Sequence, residues 1–160
     1  MKQKDKKSIN NAPVERLAKK LSSRLNQVET EIKKNIKDQE GLITITAGHL
    51  INAQGKKLRP LLTLLISRML KYRGNSDINL AVCIEFIHNA TLLHDDVIDE
   101  GKIRRGKVSA NQIWGNKISV LVGDYLLSKA FKLMVRNKSL KLLEILSETS
   151  LILARGQIQD

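Results

Sequence analysis

The sequence predicts an all-α protein, an antiparallel helical bundle. Three observations predict it. Only Pro13 and Pro60 break a chain of 160 residues, Leu, Ile and Lys are abundant while aromatics make up 3%, and apolar residues recur at helical rather than alternating spacing. At 42% apolar, the chain is rich enough to fold around one core, and its length suits a single domain.

The elements follow in order. Residues 1–12 are a Lys- and Asn-rich basic tail, expected to be disordered, with no apolar segment to suggest a secretory signal. From Pro13, the positions Val14, Leu17, Leu21, Leu25, Val28 and Ile32 fall on one helical face. A break at Gly41 precedes a short helix over 42–50 and a turn at 52–55. Pro60 suits the first turn of the next helix, which ends before Gly74, because its missing N–H would be unpaired there anyway. Asn75 or Ser76 can cap a helix running to about Glu100, where Gly101 ends it. Residues 101–115 read as a basic loop, followed by helices over 116–136 and 138–155, with no strand expected.

Composition narrows the partners. The net charge is +12, of which residues 1–40 carry +5. Trp114, Tyr72, Tyr125, Phe86 and Phe131 are too scattered for a base-stacking platform, so an anionic small molecule or a solvated basic surface explains the excess better than nucleic acid. The apolar stretch 118–135 contains Asp124, Lys129 and Lys132 and reads as a buried helix, not a membrane span. Cys83, the only thiol, excludes an intramolecular disulfide and fits a reducing, cytoplasmic setting.

Chemistry concentrates in Leu92-Leu93-His94-Asp95-Asp96-Val97-Ile98-Asp99. On a helix, Asp95 and Asp99 lie one turn apart on one face. Their mutual repulsion, about 0.2–0.5 kcal/mol, is joined by the unfavourable negative end of the helix dipole. A bound divalent cation offsets both, and oxygen-only donors suit Mg²⁺. A solvated helix end is the alternative for an isolated D-D-x-x-D. Two basic clusters flank the acidic turn: Arg104-Arg105-Gly106 after it, and Gly55-Lys56-Lys57-Leu58-Arg59-Pro60 before an upstream helix N-terminus. Guanidinium forks and helix N-termini both favour phosphate oxygens. The combination suits an enzyme holding two diphosphates.

In order, G-K-x-x-R-P, E-F-I-H-x-A-x-L-L-H-D-D-x-x-D, R-R-G-K-x-x-A-N, W-G-N and V-L-V-G-D-Y resemble the trans-isoprenyl (polyprenyl) diphosphate synthases, especially bacterial octaprenyl and other long-chain members. The likeness spans roughly residues 50–156 and implies the isoprenoid synthase type of helical bundle. It implies Mg²⁺ on Asp95 and Asp99 with Asp96 in the same acidic bank, and Arg104 on the allylic diphosphate. Lys56, Arg59 and Arg105 would hold isopentenyl diphosphate, with His88 beside it. The implied reaction extends an all-trans polyprenyl diphosphate, with Asp95, Asp99 and Arg104 catalytic, in a homodimer. Ile87, Ala90 and Thr91 would set product length; small residues at 90 and 91 suggest an open tunnel and a long product, and equally suit close helix packing.

The family's second aspartate-rich motif and its Lys-Thr segment would lie beyond Asp160, and Gly156-Gln157-Ile158-Gln159 departs from the family's G-E-x-x-Q. The expectation is therefore a truncated, N-terminal half over 13–160, with apolar faces of 116–153 short of partners and little or no turnover. A remnant or non-catalytic subunit that retains diphosphate binding is the competing expectation.

Overall fold

A computed structural model describes residues 12–37, 41–51 and 57–159. Among these, seven helices and one minute hairpin follow in the order α1 (Ala12–Lys20), α2 (Ser22–Ile36), α3 (Leu42–Ile51), α4 (Leu58–Met69), α5 (Ser76–Ile98), β1 (Ile103–Arg104), β2 (Lys107–Val108), α6 (Ala110–Arg136) and α7 (Leu140–Gln159). The tail expected to be disordered lies outside the described residues except at its last position, Ala12.

α5 is the central helix. Val82, Phe86, Asn89, Leu93 and Asp96, spaced alternately four and three residues apart, are all buried, and this stripe seats α5 in the core. It packs most extensively on α6, with α4 and α2 on its other sides and α3 against α6. Leu126, Ala130, Leu133 and Met134 of α6, Leu61 and Leu64 of α4, and Val28 and Ile32 of α2 complete the core. α6 approaches α5 closely at Gly123, where a Cβ would collide with the His94 ring. Cys83 is buried, its thiol pushed up to about 12 by burial, so it packs as an inert small group.

Several local details depart from the sequence expectations. The single helix expected from Pro13 is two, kinked at Leu21 (φ −110°, ψ 11°), whose N–H is shared between Leu17 O and Ala18 O. Leu21 is itself buried, so the apolar stripe continues through a bend that lets both halves follow the core. Asn75 occupies the N-cap of α5 but makes no side-chain cap bond; its Oδ1 accepts from Arg24 Nη1 at 3.1 Å.

The expected loop 101–115 contains structure. Ile103 pairs with Val108 and Arg104 with Lys107, joined by Arg105 (φ 52°) and Gly106 (φ 76°). Positive φ at both central residues is the tight-hairpin geometry that matches strand twist. Two-residue strands carry no alternation a sequence reader can see. Residues 110–114 then form a helical turn, and Gly115 (φ 82°, ψ 162°) kinks the chain into the long helix expected from 116.

Candidate functional site

The C-terminal end of α5 sorts the three aspartates by helical phase. Asp96 lies on the core stripe and is 1% exposed; Asp95 is half-buried, and Asp99, the C-cap, is exposed. Arg104 donates to Asp96 Oδ1 from Nε at 2.8 Å and from Nη2 at 2.5 Å. That hydrogen bond, with the charges of Asp96, Asp95 and Asp99, raises the Arg104 pKa against the opposing effect of burial. Asp96 is therefore committed to holding Arg104, while Asp95 and Asp99 are the outward members of the motif.

Asn111, which closes the R-R-G-K-x-x-A-N motif, and Ser109, at one of its unspecified positions, fix this turn, though the sequence reading gave neither a role. Asn111 Nδ2 donates to the Asp96 carbonyl at 2.8 Å, and Ser109 Oγ to the Gly101 carbonyl. The helix ends in paired reverse bonds: Gly101 N–H to Asp96 O at 2.9 Å and Glu100 N–H to Val97 O at 3.4 Å. Glu100 takes the left-handed position (φ 50°) that glycine normally fills, and Gly101 follows it because a Cβ there would stand 3.1 Å from Asp96 Oδ1. The hairpin is thus tied to α5 through side chain and backbone together.

On the next face of α5, Ile84, Ile87, His88 and Thr91 line a cavity of about 410 Å³, closed opposite by Leu146, Thr149, Ser150 and Leu153 of α7 and bordered by Arg59. Arg105, held out by the hairpin turn, reaches His88 Nε2 with Nη2 at 3.1 Å. Arginine only donates, so Nε2 accepts and the imidazole is neutral with its proton on Nδ1. Burial first, then the nearby charges of Arg59, Arg105 and Arg104, push the His88 pKa down to about 4. Three guanidinium groups therefore act on a half-buried, uncharged ring, an arrangement chemically suited to an anion beside an apolar cavity.

Other expected residues are placed as follows. Lys56 lies outside the described residues. Its neighbour Lys57 is engaged with Glu29 at 2.5 Å. Ile87 and Thr91 line the cavity, whereas Ala90 is 2% exposed and buried in the core.

Asp95 and Asp99 also pass a chemical test as a metal site. Among the described residues no group of three or more His, Cys, Asp or Glu forms a ready-made cage. Mg²⁺ does not ask for one: it is typically held by one or two carboxylates, waters and substrate phosphates. Two outward carboxylates one helical turn apart, next to three guanidinium groups, fit that pattern; Asp96 is buried, with Oδ1 on Arg104 and Oδ2 without a hydrogen-bond partner.

Residues 40–160 match the family model described as polyprenyl synthetase. The chain is 42% identical over 131 residues to octaprenyl diphosphate synthase of Escherichia coli strain K12, covering 82% of this chain and 41% of that protein. To its Haemophilus influenzae counterpart it is 38% identical over all 160 residues, against 47% of that protein. Among solved structures, a decaprenyl diphosphate synthase from Rhodobacter capsulatus superposes with a TM-score of 0.88 at 44% identity, over 91% of this chain and 45% of that one. A polyprenyl synthase from Caulobacter crescentus CB15, complexed with calcium and isoprenyl diphosphate, gives a TM-score of 0.87 at 44% identity, over 91% and 44% respectively. The chain spans less than half the length of these relatives.

Proposed function

The chain belongs to the polyprenyl synthetase family, and on that premise we propose that it condenses isopentenyl diphosphate with an allylic diphosphate, building a long-chain all-trans polyprenyl diphosphate for isoprenoid or quinone side-chain synthesis. One observation carries the reading: the outward carboxylates of Asp95 and Asp99 adjoin a cluster of Arg59, Arg104, Arg105 and neutral His88 at the mouth of an apolar cavity.

Asp95 and Asp99 would hold Mg²⁺, which when bound supplies positive charge to a diphosphate leaving group. Arg104, with Nε and Nη2 anchored on Asp96, keeps Nη1 for the allylic diphosphate, and its anchored fork needs little reorganisation as charge builds on the departing oxygens. Arg59 and Arg105, with Lys56, bind the diphosphate of the second substrate. His88, uncharged, accepts from Arg105 and so orients it. The apolar walls, Ile84 and Ile87 against Leu146 and Leu153, keep water from the allylic cation and receive the growing tail. Thr91 and Ile87 gate that cavity, so they govern product length together with, at most indirectly, Ala90.

Condensation by the purified chain of radiolabelled isopentenyl diphosphate with farnesyl diphosphate, in the presence of Mg²⁺, tests this. Labelled long-chain product is expected if the chain carries the whole reaction. Mg²⁺-dependent diphosphate binding without product would instead mark a non-catalytic subunit. Neither binding nor turnover would overturn both. A homodimer in the cytoplasm is the proposed setting, and sedimentation against the 18.0 kDa chain mass checks the assembly.

A further inference from the structure

The two ends of α5 differ in chemistry. Acidic and basic residues interleave at its C-terminus, whereas its N-terminus, about 33 Å away at 1.5 Å per residue, lies in a mainly basic neighbourhood, Asp77 of its first turn being buried. Two turns meet there, 70–75 between α4 and α5 and 137–139 between α6 and α7. Asn79 Nδ2 donates to Asn137 Oδ1 at 3.4 Å, and a cavity of about 450 Å³ is lined from both turns, by Leu70 and Tyr72 on one side and Asn137 and Ser139 on the other. Residues 66–76 contain Arg68, Lys71 and Arg73 and no acid; residues 134–143 contain Arg136, Lys138 and Lys141 and no acid. Asp77 is buried and paired with Arg24, and Glu144, one turn into α7, pairs with Lys141 at 2.8 Å.

Large apolar side chains stand among these cations. Leu140 and Leu70, at 84% and 76%, are the most exposed large hydrophobic residues of the described chain, and Met69 follows at 72%, level with Ile103 at the opposite end. Folding gains nothing from gathering like charges around exposed leucines. A nucleic-acid backbone would answer the cations but leave Leu70 and Leu140 in water. An apolar protein groove would cover the leucines but strip water from the cations. An anionic bilayer surface satisfies both, since headgroups neutralise Lys and Arg while the headgroup–acyl boundary takes up Leu, Met and Tyr.

We propose that this end of the bundle docks on an anionic lipid surface, with Leu70 and Leu140 entering the interface and the surrounding Lys and Arg side chains contacting lipid phosphates. No helix among the described residues is long and apolar enough to cross a membrane, so the contact is peripheral. The surface goes beyond the proposed chemistry and does not depend on it.

Cosedimentation of the full chain with vesicles tests the proposal. Binding is expected to phosphatidylcholine vesicles containing phosphatidylglycerol and not to pure phosphatidylcholine. Lys71→Glu with Arg73→Glu should weaken it at least about ten-fold, as should Lys138→Glu with Lys141→Glu at the neighbouring turn. Leu70→Ser with Leu140→Ser should also weaken it, and Arg105→Ala at the opposite end should leave it unchanged, each variant being compared at matched helicity by circular dichroism. Equal binding to both vesicle types, indifference to the charge reversals or to the leucine changes, or loss on Arg105→Ala would overturn it; the last would place lipid phosphate in the diphosphate site instead.

Discussion

Three neighbouring aspartates have separate fates, and their variants should separate accordingly. Asp95→Asn and Asp99→Asn should abolish Mg²⁺-dependent binding of an allylic diphosphate analogue, read by calorimetry. Their melting temperatures should change little, because the like-charge repulsion each relieves, about 0.2–0.5 kcal/mol, is set against the attraction each carboxylate has for Arg104. Asp96→Ala should instead unfold the protein more easily by about 2 kcal/mol, since it strands the partly buried Arg104 guanidinium; urea titration measures this. His88 adds a pH dependence. Its pKa falls from 6.5 to about 4 on folding, so the unfolded chain binds the extra proton first. Its contribution to stability is complete above pH 6.5 and is lost as pH falls through 4. Urea midpoints across that window should decline with acid, and His88→Asn should remove part of the slope.

Among the elements, helix ends and close approaches carry the sharpest expectations. Lys71, Glu100 and Lys138 each take a left-handed conformation just past a helix, and each follows a glycine-free terminus. Glu100→Gly should therefore stabilise the fold by about 0.5–1 kcal/mol. Gly101→Ala should do the opposite, because its Cβ crowds the Asp96 carboxylate; thermal melts distinguish the two signs. Gly123→Ala would drive the His94 ring off α6, parting the two most extensively packed helices beside the site. Across the cavity between α5 and α7, Thr91→Phe should fill space needed by the tail. If the chain, or a longer protein containing it, makes polyprenyl diphosphate, chromatography should show a shorter product.

The molecule as a whole has an asymmetric core. α5 is enclosed by α2, α4 and α6, while α7 rests on the rest mainly through Leu143 and Leu146 and leaves Leu151, Ile152 and Leu153 half exposed or more. Apolar stripes of this extent favour association. Sedimentation velocity at rising concentration should show species heavier than 18.0 kDa, and Leu151→Lys with Ile152→Lys should shift the chain toward monomer without loss of helicity. A concentration-independent monomer would overturn that expectation.

What the sequence by itself determined is everything that repeats or is spaced along one helix. The core-facing periodicities, the place of Pro60 in the first turn of α4, the start of α5 after Asn75, and the family membership needed no coordinates. The burial of Asp96, which the sequence reading placed in the metal-binding bank, continues the stripe of Val82, Phe86, Asn89 and Leu93, but that stripe becomes core only once α6 covers it. What only the tertiary structure decided are relations between segments distant in the chain. Arg105 meets His88 because two residues with positive φ fold a hairpin back onto α5; Ala90 is in the core and Thr91 in the cavity because α6 lies on one side and α7 on the other; Leu70 and Leu140 share one basic end because two turns come side by side. Helical phase tells which residues share a face, but a face becomes core, site or surface only when another element covers it or fails to.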